Sequence, residues 1–393
     1  MTKVRILFVI ESLGLGGAER SLLNLLNNID KDRFEIDLQV FNDTGILKHY
    51  LNKDIKLLSL PSVIIELTNP WYKCIYQPKL LINRLRYSFH IRKGKLKNAA
   101  KAVKFWQLFA DFFNENEEYY DYAIAYSQGI PTFYVVDKVK ARKKFTWLNV
   151  EYELKEPVKT FNRNYYEIFD NIVSVSEKVR MHFVKNLFPE LSSKLTTIYD
   201  IIDSTFIEKE AQAKVDDLPI ETDVHLLVTI GRYNWQKGYE YAIDTAKELK
   251  SRGVPFKWIG IGSGPLQEQL MQQIRANGLE EVFLLLGNRA NPFPYMKACD
   301  VYVQPSRMEG FGLTIAEAKI LNKPIVATNF NSIDLQIKHG ENGLIADFSA
   351  KDVADKIERL INDDSLRENI ISNLRKEKKG NVEEIEKFYQ LLD

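Results

Sequence analysis

The sequence predicts an α/β protein built from two doubly wound parallel sheets. Short apolar segments alternate with helix-like segments along most of the chain, which is typical of a parallel sheet covered by helices on both faces. The alternation stops at a polar stretch, residues 207–222, and then starts again. A length of 393 residues suits two domains. We therefore expect two sheets whose carboxyl ends face each other across a ligand-binding cleft.

Each predicted strand is a short apolar run, and each predicted helix has an amphipathic repeat or follows a turn signal. The predicted strands of the first domain are residues 6–10, 34–40, 57–60, 122–126, 145–149, 172–175 and 195–199. Its predicted helices are residues 18–28, 45–51 and 177–186. The predicted strands of the second domain are residues 225–230, 256–261, 282–286, 301–304 and 325–328. Its predicted helices are residues 239–252, 265–277, 293–298, 314–321 and 350–362.

The polar stretch also sets the predicted domain boundary. We assign residues 1–205 to the first domain and residues 206–380 to the second. The last stretch, residues 382–392, has the apolar spacing of a helix with one buried face. We expect this C-terminal helix to cross back to the first domain, so that residues 381–393 pack on it.

Composition and charge narrow the class of protein. The chain is 45% hydrophobic and 27% charged, and its net charge of +1 gives no general electrostatic reason to bind nucleic acid. The first apolar run is shorter than a signal-peptide core, and no later run approaches the ~18 residues of a membrane-spanning helix. Cys74 and Cys299 lie far apart, which does not suggest a disulfide scaffold or a zinc site. We therefore expect a cytoplasmic protein.

One segment departs from this even charge balance. Residues 67–110 contain no acidic residue but ten basic ones: Lys73, Lys79, Arg84, Arg86, Arg92, Lys93, Lys95, Lys97, Lys101 and Lys104. The interleaved aromatic residues are Trp71, Tyr72, Tyr76, Tyr87, Phe89, Phe105 and Trp106. The segment fits a peripheral contact with an anionic membrane or lipid-linked substrate, a helical excursion with its aromatics inside, or a nucleic-acid contact. We favour the membrane and expect no nucleic-acid partner.

The nine residues from Glu309 to Glu317 carry the strongest chemical signal. They place two carboxylates around the turn Gly310-Phe311-Gly312, between a predicted strand and a predicted helix. Backbone N–H groups at such a turn, with the helix dipole behind them, favour an anion such as phosphate. The carboxylates themselves suit hydrogen bonds from sugar hydroxyls. This pattern indicates a nucleotide-sugar site, and the alternative is a capped helix with two surface glutamates.

A glycine loop also follows the first predicted strand. It contains Gly14, Gly16 and Gly17, and glycines at this position let a ligand approach the backbone. The third glycine of a dinucleotide fingerprint would fall at Glu19. The loop is therefore a phosphate or sugar loop of another kind, and not a clear nicotinamide site.

Three more loops follow predicted strands of the second domain. Arg232 and Lys237 stand five residues apart and can converge on one diphosphate, although an exposed basic loop is the alternative. Gly264 lies in a glycine turn that opens a helix, and Asn288 and Arg289 follow the next strand. Because all three loops start at the carboxyl edge of one predicted sheet, a shared site explains them better than separate surface turns.

Together these motifs resemble glycosyltransferase family 4, a retaining family with the GT-B fold. The resemblance covers nearly the whole chain and is strongest at residues 14–20, 174–177, 231–232 with 237–238, 262–265 and 309–317. It implies that Arg232 and Lys237 hold the donor diphosphate, that Glu309 contacts the donor sugar, and that Glu317 holds the ribose. The other implied donor-binding positions are Gly16, Gly17, Gly264, Asn288, Arg289, Phe311, Gly312, Leu313 and Thr314.

The resemblance implies an acceptor-binding first domain, a nucleotide-sugar-binding second domain, and transfer with retention. The expected donor is a UDP-sugar, and the expected acceptor is a hydroxyl of a glycan or lipid-linked glycan in surface polysaccharide or glycolipid biosynthesis. No nucleophile triad and no metal-ligand spacing is apparent in the sequence. We expect neither a metal nor a cofactor, because Arg232 and Lys237 would neutralise the leaving diphosphate.

The sequence also departs from the family pattern. Many relatives carry a histidine that faces the donor sugar, and the matching stretches here contain Gln128 and Asn149 instead. Tyr199-Asp200 replaces the common Tyr-Asn before the interdomain Ile-Asp. Two other functions stay open: a nucleotide-sugar epimerase or a phosphorylase on the same architecture, and an inactive nucleotide-sugar-binding subunit.

Overall fold

The computed structural model describes residues 3–14, 16–42, 45–74, 76–93, 98–218, 221 and 223–393, except the side chains of Cys74 and Lys93. It divides into two compact units. The first unit contains Met1–Tyr199 and Glu384–Asp393, and the second contains Asp200–Glu383. The chain therefore leaves the first unit six residues before the predicted boundary and returns three residues after the predicted one.

The first unit contains one seven-stranded sheet in which every described strand pairing is parallel. Its strands, in the sheet order β3-β2-β1-β4-β5-β6-β7, are β1 Val4–Ile10, β2 Phe34–Val40, β3 Lys56–Leu57, β4 Tyr119–Ala125, β5 Lys140–Leu148, β6 Asn171–Ser174 and β7 Leu195–Thr197. Its helices up to β7 are α1 Gly17–Asn28, α2 Ser62–Thr68, α3 Pro78–Lys93, α4 Asn98–Phe109, α5 Ile130–Lys138, α6 Val158–Tyr166 and α7 Glu177–His182. Shorter helical turns cover Ile46–Tyr50, Trp71–Cys74, Ala110–Phe112, Phe183–Leu187 and Pro189–Lys194.

The second unit contains a six-stranded parallel sheet in the order β10-β9-β8-β11-β12-β13. Its strands are β8 His225–Ile230, β9 Phe256–Ile261, β10 Phe283–Gly287, β11 Val301–Gln304, β12 Ile325–Thr328 and β13 Leu344–Ala346. Its helices are α8 Ser204–Glu210, α9 Tyr239–Ser251, α10 Gln267–Ala276, α11 Phe293–Ala298, α12 Leu313–Ile320, α13 Ala350–Asn362 and α14 Asp364–Lys376, with short turns at Trp235–Lys237, Ile333–Leu335 and Val382–Glu384. The predicted fold class, two doubly wound parallel sheets with helices, is confirmed.

The C-terminal helix α15, Ile385–Leu392, belongs to the first unit, as predicted. Phe388 is fully buried, and its ring centroid lies 6.1 Å from that of Phe8 on β1 and 6.2 Å from that of Trp147 on β5. Tyr389 stacks on Phe34 at 5.6 Å. One aromatic face of this short helix therefore fixes the chain end on the first sheet, since burial of large aromatic side chains is among the strongest packing contributions.

Several predicted elements differ from the structure. The predicted linker 207–222 begins inside α8, because Asp203 caps that helix by accepting a hydrogen bond from the Phe206 N–H at 3.0 Å; residues 219–220 and 222 lie outside the described residues. The helix predicted at 45–51 is a 3-10 turn, and the third strand covers 56–57 instead of 57–60. Several elements were not predicted from the sequence: α2, α3, α4, α5, α6, α8, α14 and β13.

The basic segment, residues 67–110, forms mainly α3 and α4, and residues 94–97 between them lie outside the described residues. Trp106 and Phe109 of α4 are buried against the first unit. In the described part of the chain, no helix combines the length and the apolar character needed to cross a membrane.

Candidate functional site

The predicted cation and carboxylate of the second sheet meet. Lys237 ends the turn Trp235–Lys237 after β8, and Glu309 lies in the loop after β11. The Lys237 ammonium lies 2.7 Å from Oε1 and 2.9 Å from Oε2 of Glu309. Because β8 and β11 are parallel neighbours, the loops that follow them start at the same edge of the sheet. Sheet topology therefore joins two residues that stand 72 positions apart in the chain.

A buried hydrogen-bond network holds the Glu309 carboxylate. Ser306 Oγ donates to Oε1 of Glu309 at 2.6 Å, and Gln304 Nε2 donates to the same oxygen at 3.0 Å and to Ser306 Oγ at 2.7 Å. Gln304 Oε1 in turn accepts from the hydroxyls of Tyr302 and Thr314. Gln304, Ser306 and Tyr302 are fully buried, and burial raises the pKa of the Tyr302 hydroxyl, which therefore stays a donor. Such a satisfied network fixes the position of the carboxylate.

The Lys237–Glu309 pair remains partly open to a ligand. The Lys237 side chain is 22% exposed and that of Glu309 is 11% exposed. Among the described residues, Oε2 of Glu309 accepts only from Lys237, so it keeps lone-pair capacity for a further donor such as a hydroxyl. A preorganised ammonium group beside a carboxylate can therefore receive a ligand that carries both negative oxygens and hydroxyls.

Glycine is required at three positions of these loops. Gly238 has φ +63°, and a Cβ there would lie 2.0 Å from the carbonyl oxygen of Pro305. Gly312, at φ +87°, turns the chain into α12. At Gly264, a Cβ would lie 2.3 Å from the carbonyl oxygen of Tyr233. These close approaches let the loops after β8, β9 and β11 pack together at the carboxyl edge.

The paired glutamates are not surface residues. Glu317 lies in α12 and is 3% exposed, which contradicts the alternative of a capped helix with two surface glutamates. Leu313 is buried beside it, and the carbonyl oxygen of Phe311 accepts a hydrogen bond from Gln336 Nε2 at 3.2 Å. The segment from Phe311 to Glu317 is thus held by burial and by the hydrogen bond from Gln336, and its predicted contacts with a donor would come from backbone groups and from buried polar side chains.

Arg232 differs from Lys237 in its surroundings. Its side chain is exposed, and within the described part of the chain its guanidinium group has no hydrogen-bond or ion-pair partner. The structure places Lys237 against Glu309, whereas it leaves Arg232 available to an added anion. Arg232 and Lys237 therefore share a loop, but the structure does not bring their charged groups onto a common partner.

Arg289 is committed to a structural contact. Its guanidinium group binds Asp217 and donates from Nε to the Tyr295 hydroxyl at 3.0 Å, while Asn288 is exposed. The Tyr295 hydroxyl and then the Arg289 guanidinium hydrogen-bond Asp217 and lower the pKa of its carboxyl. The predicted base-recognition role of this turn would thus come from the backbone of Asn288 and Arg289, since the Arg289 side chain is occupied.

The glycine loop of the first unit opens α1. Gly16 is the residue before this helix and Gly17 is its first residue. A Cβ on Gly16 would lie 2.2 Å from a carboxylate oxygen of Glu19, whose other oxygen lies 3.3 Å from Ser12 Oγ. A carboxylate thus lies against the loop that was predicted to border phosphates. A phosphate at Gly16 would require Glu19 to move away, because like charges repel.

Gln128 and Asn149 lie together after β4 and β5. Asn149 N–H donates to Gln128 Oε1 at 3.2 Å, and Asn149 Nδ2 donates to the carbonyl oxygen of Tyr126 at 2.7 Å. Gln128 Nε2 donates to the carbonyl oxygen of Val150 at 3.0 Å. Asn149 Oδ1 is buried without a hydrogen-bond partner among the described residues. These two amides, predicted to replace the missing histidine, thus join the loops after β4 and β5, and the Asn149 side chain keeps one unused acceptor.

Gln304 and Ser306 were missed as site residues. Gln304 is the last residue of an apolar strand and Ser306 follows it, and polar residues at the carboxyl end of a buried strand were the available signal. Their role became visible only through their contacts with Glu309. Across the described residues, no group of three His, Cys, Asp or Glu side chains is arranged to hold a metal ion.

Comparison with known proteins agrees with this architecture. Residues 210–377, all within the second unit, match the family model described as glycosyl transferases group 1. An alpha-D-kanosaminyltransferase of Streptomyces kanamyceticus is 33% identical over 162 residues, which are 40% of each chain. The capsular polysaccharide biosynthesis glycosyltransferase CapM of Staphylococcus aureus is 30% identical over 224 residues, which are 52% of this chain and 56% of CapM. The chain thus matches about half the length of these curated relatives.

Solved structures resemble the chain over its full length. Anabaena HepE in complex with UDP and glucose superposes with a TM-score of 0.70 and 20% identity, covering 99% of both chains. A S. aureus TarM variant in complex with fondaparinux, alpha-GlcNAc-glycerol and UDP has a TM-score of 0.68 and 15% identity, covering 99% of this chain and all of TarM. At this identity the likeness shows the fold, which is the two-domain GT-B fold.

Proposed function

We propose that the protein is a retaining, metal-independent glycosyltransferase that uses a nucleoside-diphosphate sugar. The observation that carries the proposal is the ion pair between Lys237 and Glu309, held at the carboxyl edge of the second sheet by buried Gln304 and Ser306. This pair offers a cation for a diphosphate and a carboxylate for sugar hydroxyls. Its residues fall inside the segment that matches the glycosyl transferases group 1 model.

The chemistry assigned to these residues is transition-state stabilisation. As the bond from the anomeric carbon to the diphosphate breaks, Lys237 and the exposed Arg232 would stabilise the charge on the leaving oxygen. The acceptor oxygen then bonds to the anomeric carbon on the same face, and its proton passes to a diphosphate oxygen. Glu309 would hold the sugar through its Oε2 atom. This account needs no side chain as general base and no metal, since two cations are already present.

The donor is assigned as a UDP-sugar. HepE and TarM, two structures that resemble the chain over its full length, contain UDP. Glu317 would accept the ribose hydroxyls and the backbone at Asn288 and Arg289 would meet the base. The acceptor is assigned as a hydroxyl of a glycan or lipid-linked glycan in surface polysaccharide or glycolipid biosynthesis, in line with CapM and a Campylobacter jejuni diphospho-undecaprenol-linked transferase among the relatives.

The proposal is tested by following the sugar with ¹H NMR. The protein is incubated in EDTA with UDP-sugars and with purified bacterial glycans and lipid-linked glycans as acceptors. We expect a new glycosidic linkage with the anomeric configuration of the donor, and release of UDP. An inverted product would contradict retention, and loss of turnover in EDTA would contradict metal independence.

The same experiment separates the alternatives. An epimerase would convert the UDP-sugar to an isomer without any acceptor, and a phosphorylase would need inorganic phosphate and carry the absorbance of bound pyridoxal phosphate. An inactive binding subunit would bind the donor and turn over none of the acceptors. The Lys237–Glu309 pair offers a cation for a leaving diphosphate as well as a carboxylate for the sugar, and this combination favours an active enzyme over a passive binding subunit.

We also propose that the protein is cytoplasmic and works at an anionic membrane surface. Two of the alternatives predicted from the sequence, a helical excursion with its aromatics inside and a membrane contact, apply to different parts of the basic segment. Trp106 and Phe109 of α4 are buried, whereas the aromatic residues before α4 are largely exposed. Eight large apolar side chains are exposed between residues 65 and 91: Ile65, Trp71, Tyr72, Tyr76, Ile82, Leu85, Phe89 and Ile91. We call these eight residues the apolar face. So many exposed apolar side chains within one segment favour an interaction surface.

Basic side chains accompany the apolar face. On α3, Ile82, Leu85 and Phe89 follow helical spacing and are exposed, and Lys79 and Arg86 are exposed on the same helix. An amphipathic surface of aromatic and basic residues suits the headgroup region of an anionic bilayer, where each basic residue adds about 1 kcal/mol. A surface that binds another protein usually carries charges of both signs. Residues 67–110 contain no acidic residue, which favours an anionic membrane instead.

Vesicle co-sedimentation tests this part. Binding to phosphatidylglycerol vesicles should be lost in the double variant Leu85→Ser, Phe89→Ser and in the double variant Lys79→Glu, Arg86→Glu. Raised salt should strongly weaken vesicle binding by the parent protein. The matched controls are Met181→Ser and Lys185→Glu, which change exposed side chains of the first unit outside the segment. Parent-like binding of both double variants would contradict the membrane contact. Of the other basic residues, Lys95 and Lys97 lie outside the described residues.

A further inference from the structure

A large aromatic ring stands exposed beside the Lys237–Glu309 pair. Trp235 lies two residues before Lys237, in the same 3-10 turn, and is 57% exposed. Its indole N–H has no hydrogen-bond acceptor among the described residues. Exposure of so much apolar surface is unfavourable unless the ring has a partner at some stage, because a buried Trp would contribute up to a few kcal/mol.

Arg307 holds this ring in place. Its guanidinium carbon lies 5.1 Å from the centroid of the Trp235 ring and 4.5 Å from that of Tyr241. Nη1 of Arg307 donates to the carbonyl oxygen of Trp235 at 2.7 Å and pairs with Glu240 Oε1 at 2.6 Å. The Arg307 N–H donates to the carbonyl oxygen of Gln236 at 2.7 Å. The loop that carries Trp235 is therefore tied to the loop that carries Glu309, and the exposed ring is preorganised.

The aromatic surface continues away from the pair. The Tyr241 ring lies 6.3 Å from that of Phe348, which is 44% exposed. We call Trp235, Arg307, Tyr241 and Phe348 the aromatic strip. Trp235, Arg307 and Phe348 come from the loops after β8, β11 and β13, and Tyr241 from the start of α9. The strip thus follows the carboxyl edge of the second sheet, where parallel sheets build their binding sites.

We propose that the aromatic strip binds the glycan chain of the acceptor, in addition to the acceptor-binding role that the resemblance implies for the first unit. This inference rests on the proposed glycosyltransferase function and names the partner of the surface next to its site. The C–H face of a pyranose ring is apolar and packs on an aromatic ring, while its hydroxyls at the rim need hydrogen-bond partners. The strip offers two exposed rings with the Arg307–Glu240 pair between them.

The charges of the strip favour a neutral ligand. Arg307 and Glu240 pair with each other, so the strip presents no uncompensated cation for a phosphate or an anionic lipid. Oε2 of Glu240 is buried and has no hydrogen-bond partner among the described residues, so the strip contains an acceptor that a hydroxyl donor could satisfy after a small side-chain movement. Hydroxyl-rich glycans supply such donors, whereas an apolar protein surface does not.

The test uses a glycan array printed with purified bacterial surface oligosaccharides, probed with the full-length protein in UDP. The variants are Trp235→Ala and Phe348→Ala, and the matched control is Met271→Ala, another exposed apolar side chain of the second unit. We expect the parent and the control to bind a defined set of oligosaccharides. Each strip variant should lose about tenfold in affinity for that set, which corresponds to about 1.4 kcal/mol. The UDP-induced shift in melting temperature should remain in every variant.

The results distinguish failure of the aromatic strip as a glycan-binding surface from failure of the proposed glycosyltransferase function. Parent-like glycan affinity in both strip variants, or no glycan binding by the parent while UDP still stabilises it, would overturn the role of the strip and leave the donor site standing. Absence of any UDP stabilisation in the parent would instead overturn the proposed function. Equal loss in Met271→Ala would show a general effect on the second unit and would contradict a specific contact at the strip.

Discussion

The ammonium group of Lys237 lies 2.7 Å and 2.9 Å from the two carboxylate oxygens of Glu309. The cation proposed for the diphosphate is therefore already bound to the carboxylate proposed for the sugar. A donor that enters must share Lys237 with Glu309 instead of meeting an isolated charge. The pair links leaving-group stabilisation to sugar placement, and variants at the two positions should not behave independently.

Loss of the cations should slow the chemical step. Arg232→Ala and Lys237→Ala should each lower kcat about 10²- to 10³-fold, since a preorganised charge of this kind contributes about 3–4 kcal/mol to the transition state. Steady-state kinetics with the UDP-sugar measures the effect. Lys338→Ala, which removes an exposed lysine of the second unit, is the control and should match the parent. Parent-like rates for both site variants would contradict the assignment.

The hydrogen-bond network around Glu309 should contribute to catalysis by positioning the Glu309 carboxylate. Ser306→Ala removes the 2.6 Å hydrogen bond to Oε1, and we expect kcat to fall about tenfold, since a bond to a charged group contributes about 1.5–3 kcal/mol. UDP affinity should stay unchanged, because UDP has no transferred sugar. Isothermal titration measures the affinity for UDP, and steady-state kinetics measures kcat. A variant that loses UDP affinity and kcat together would show that Ser306 supports the whole site.

Glu317 should act mainly in donor binding. Glu317→Gln keeps the shape of a buried side chain but removes its charge, so UDP should bind more weakly while kcat at saturation changes little. Calorimetric titration with UDP and with free phosphate distinguishes the two explanations. Loss of a ribose contact weakens only UDP binding, whereas general damage to the site weakens the binding of both ligands. The melting temperature of the variant without ligand reports whether folding is preserved. A large fall in kcat at saturating donor, in a folded variant, would argue against the ribose role.

Gly238 should be important for the close approach of the two loops. Gly238→Ala adds a Cβ 2.0 Å from the Pro305 carbonyl oxygen at φ +63°, so we expect a loss of at least about 1–3 kcal/mol in the free energy of unfolding. Gly253→Ala is the matched control, because Gly253 has a similar φ of +74° with no atom within 4 Å of the added Cβ. Urea unfolding of both should show the larger loss at Gly238. Equal losses would mean that the positive φ alone destabilises both variants and that the contact with Pro305 adds nothing.

Asp217 should contribute to the pH dependence of stability. Hydrogen bonds from Tyr295 and Arg289 lower its pKa, so its stabilisation is present above the ordinary carboxyl pKa of about 3.9 and is lost as the pH falls through the lower folded-state pKa. The Asp217→Asn variant should therefore be less stable than the parent near pH 7, and the difference should shrink on acidification below about pH 4. Urea unfolding across this range measures it. A constant difference would show that the charge of Asp217 is unimportant.

Local sequence patterns were sufficient to predict the fold class. The apolar run of β1 and the apolar spacing of α15 predicted buried elements, and residues 6–10 and Phe388 are buried. The excursion between β3 and β4 was not resolved into α2, α3 and α4, because α3 carries apolar residues both on its buried side, at Leu80, and on its exposed side, at Leu85 and Phe89, and so lacks a single apolar face.

The site was predictable in its residues but not in its contacts. Glu309 and Lys237 were recognised separately, whereas their ion pair depends on β8 and β11 being neighbours in the sheet. The position of the Glu19 carboxylate against Gly16 likewise required three-dimensional placement. Trp235 gave no signal in the sequence because a single Trp in a polar loop does not show whether its ring is buried or exposed.

The central claim is most directly tested by a thermal-shift panel with UDP, GDP, ADP and their common sugars, with and without EDTA. A ligand at about 100 times its dissociation constant adds about 2.7 kcal/mol of apparent stability, which a melting curve detects readily. We predict a selective shift with UDP and one UDP-sugar that is unchanged by EDTA and is lost in the double variant Arg232→Ala, Lys237→Ala. No shift with any nucleotide, or an equal shift in the double variant, would contradict the claim that these residues form a nucleotide-sugar site.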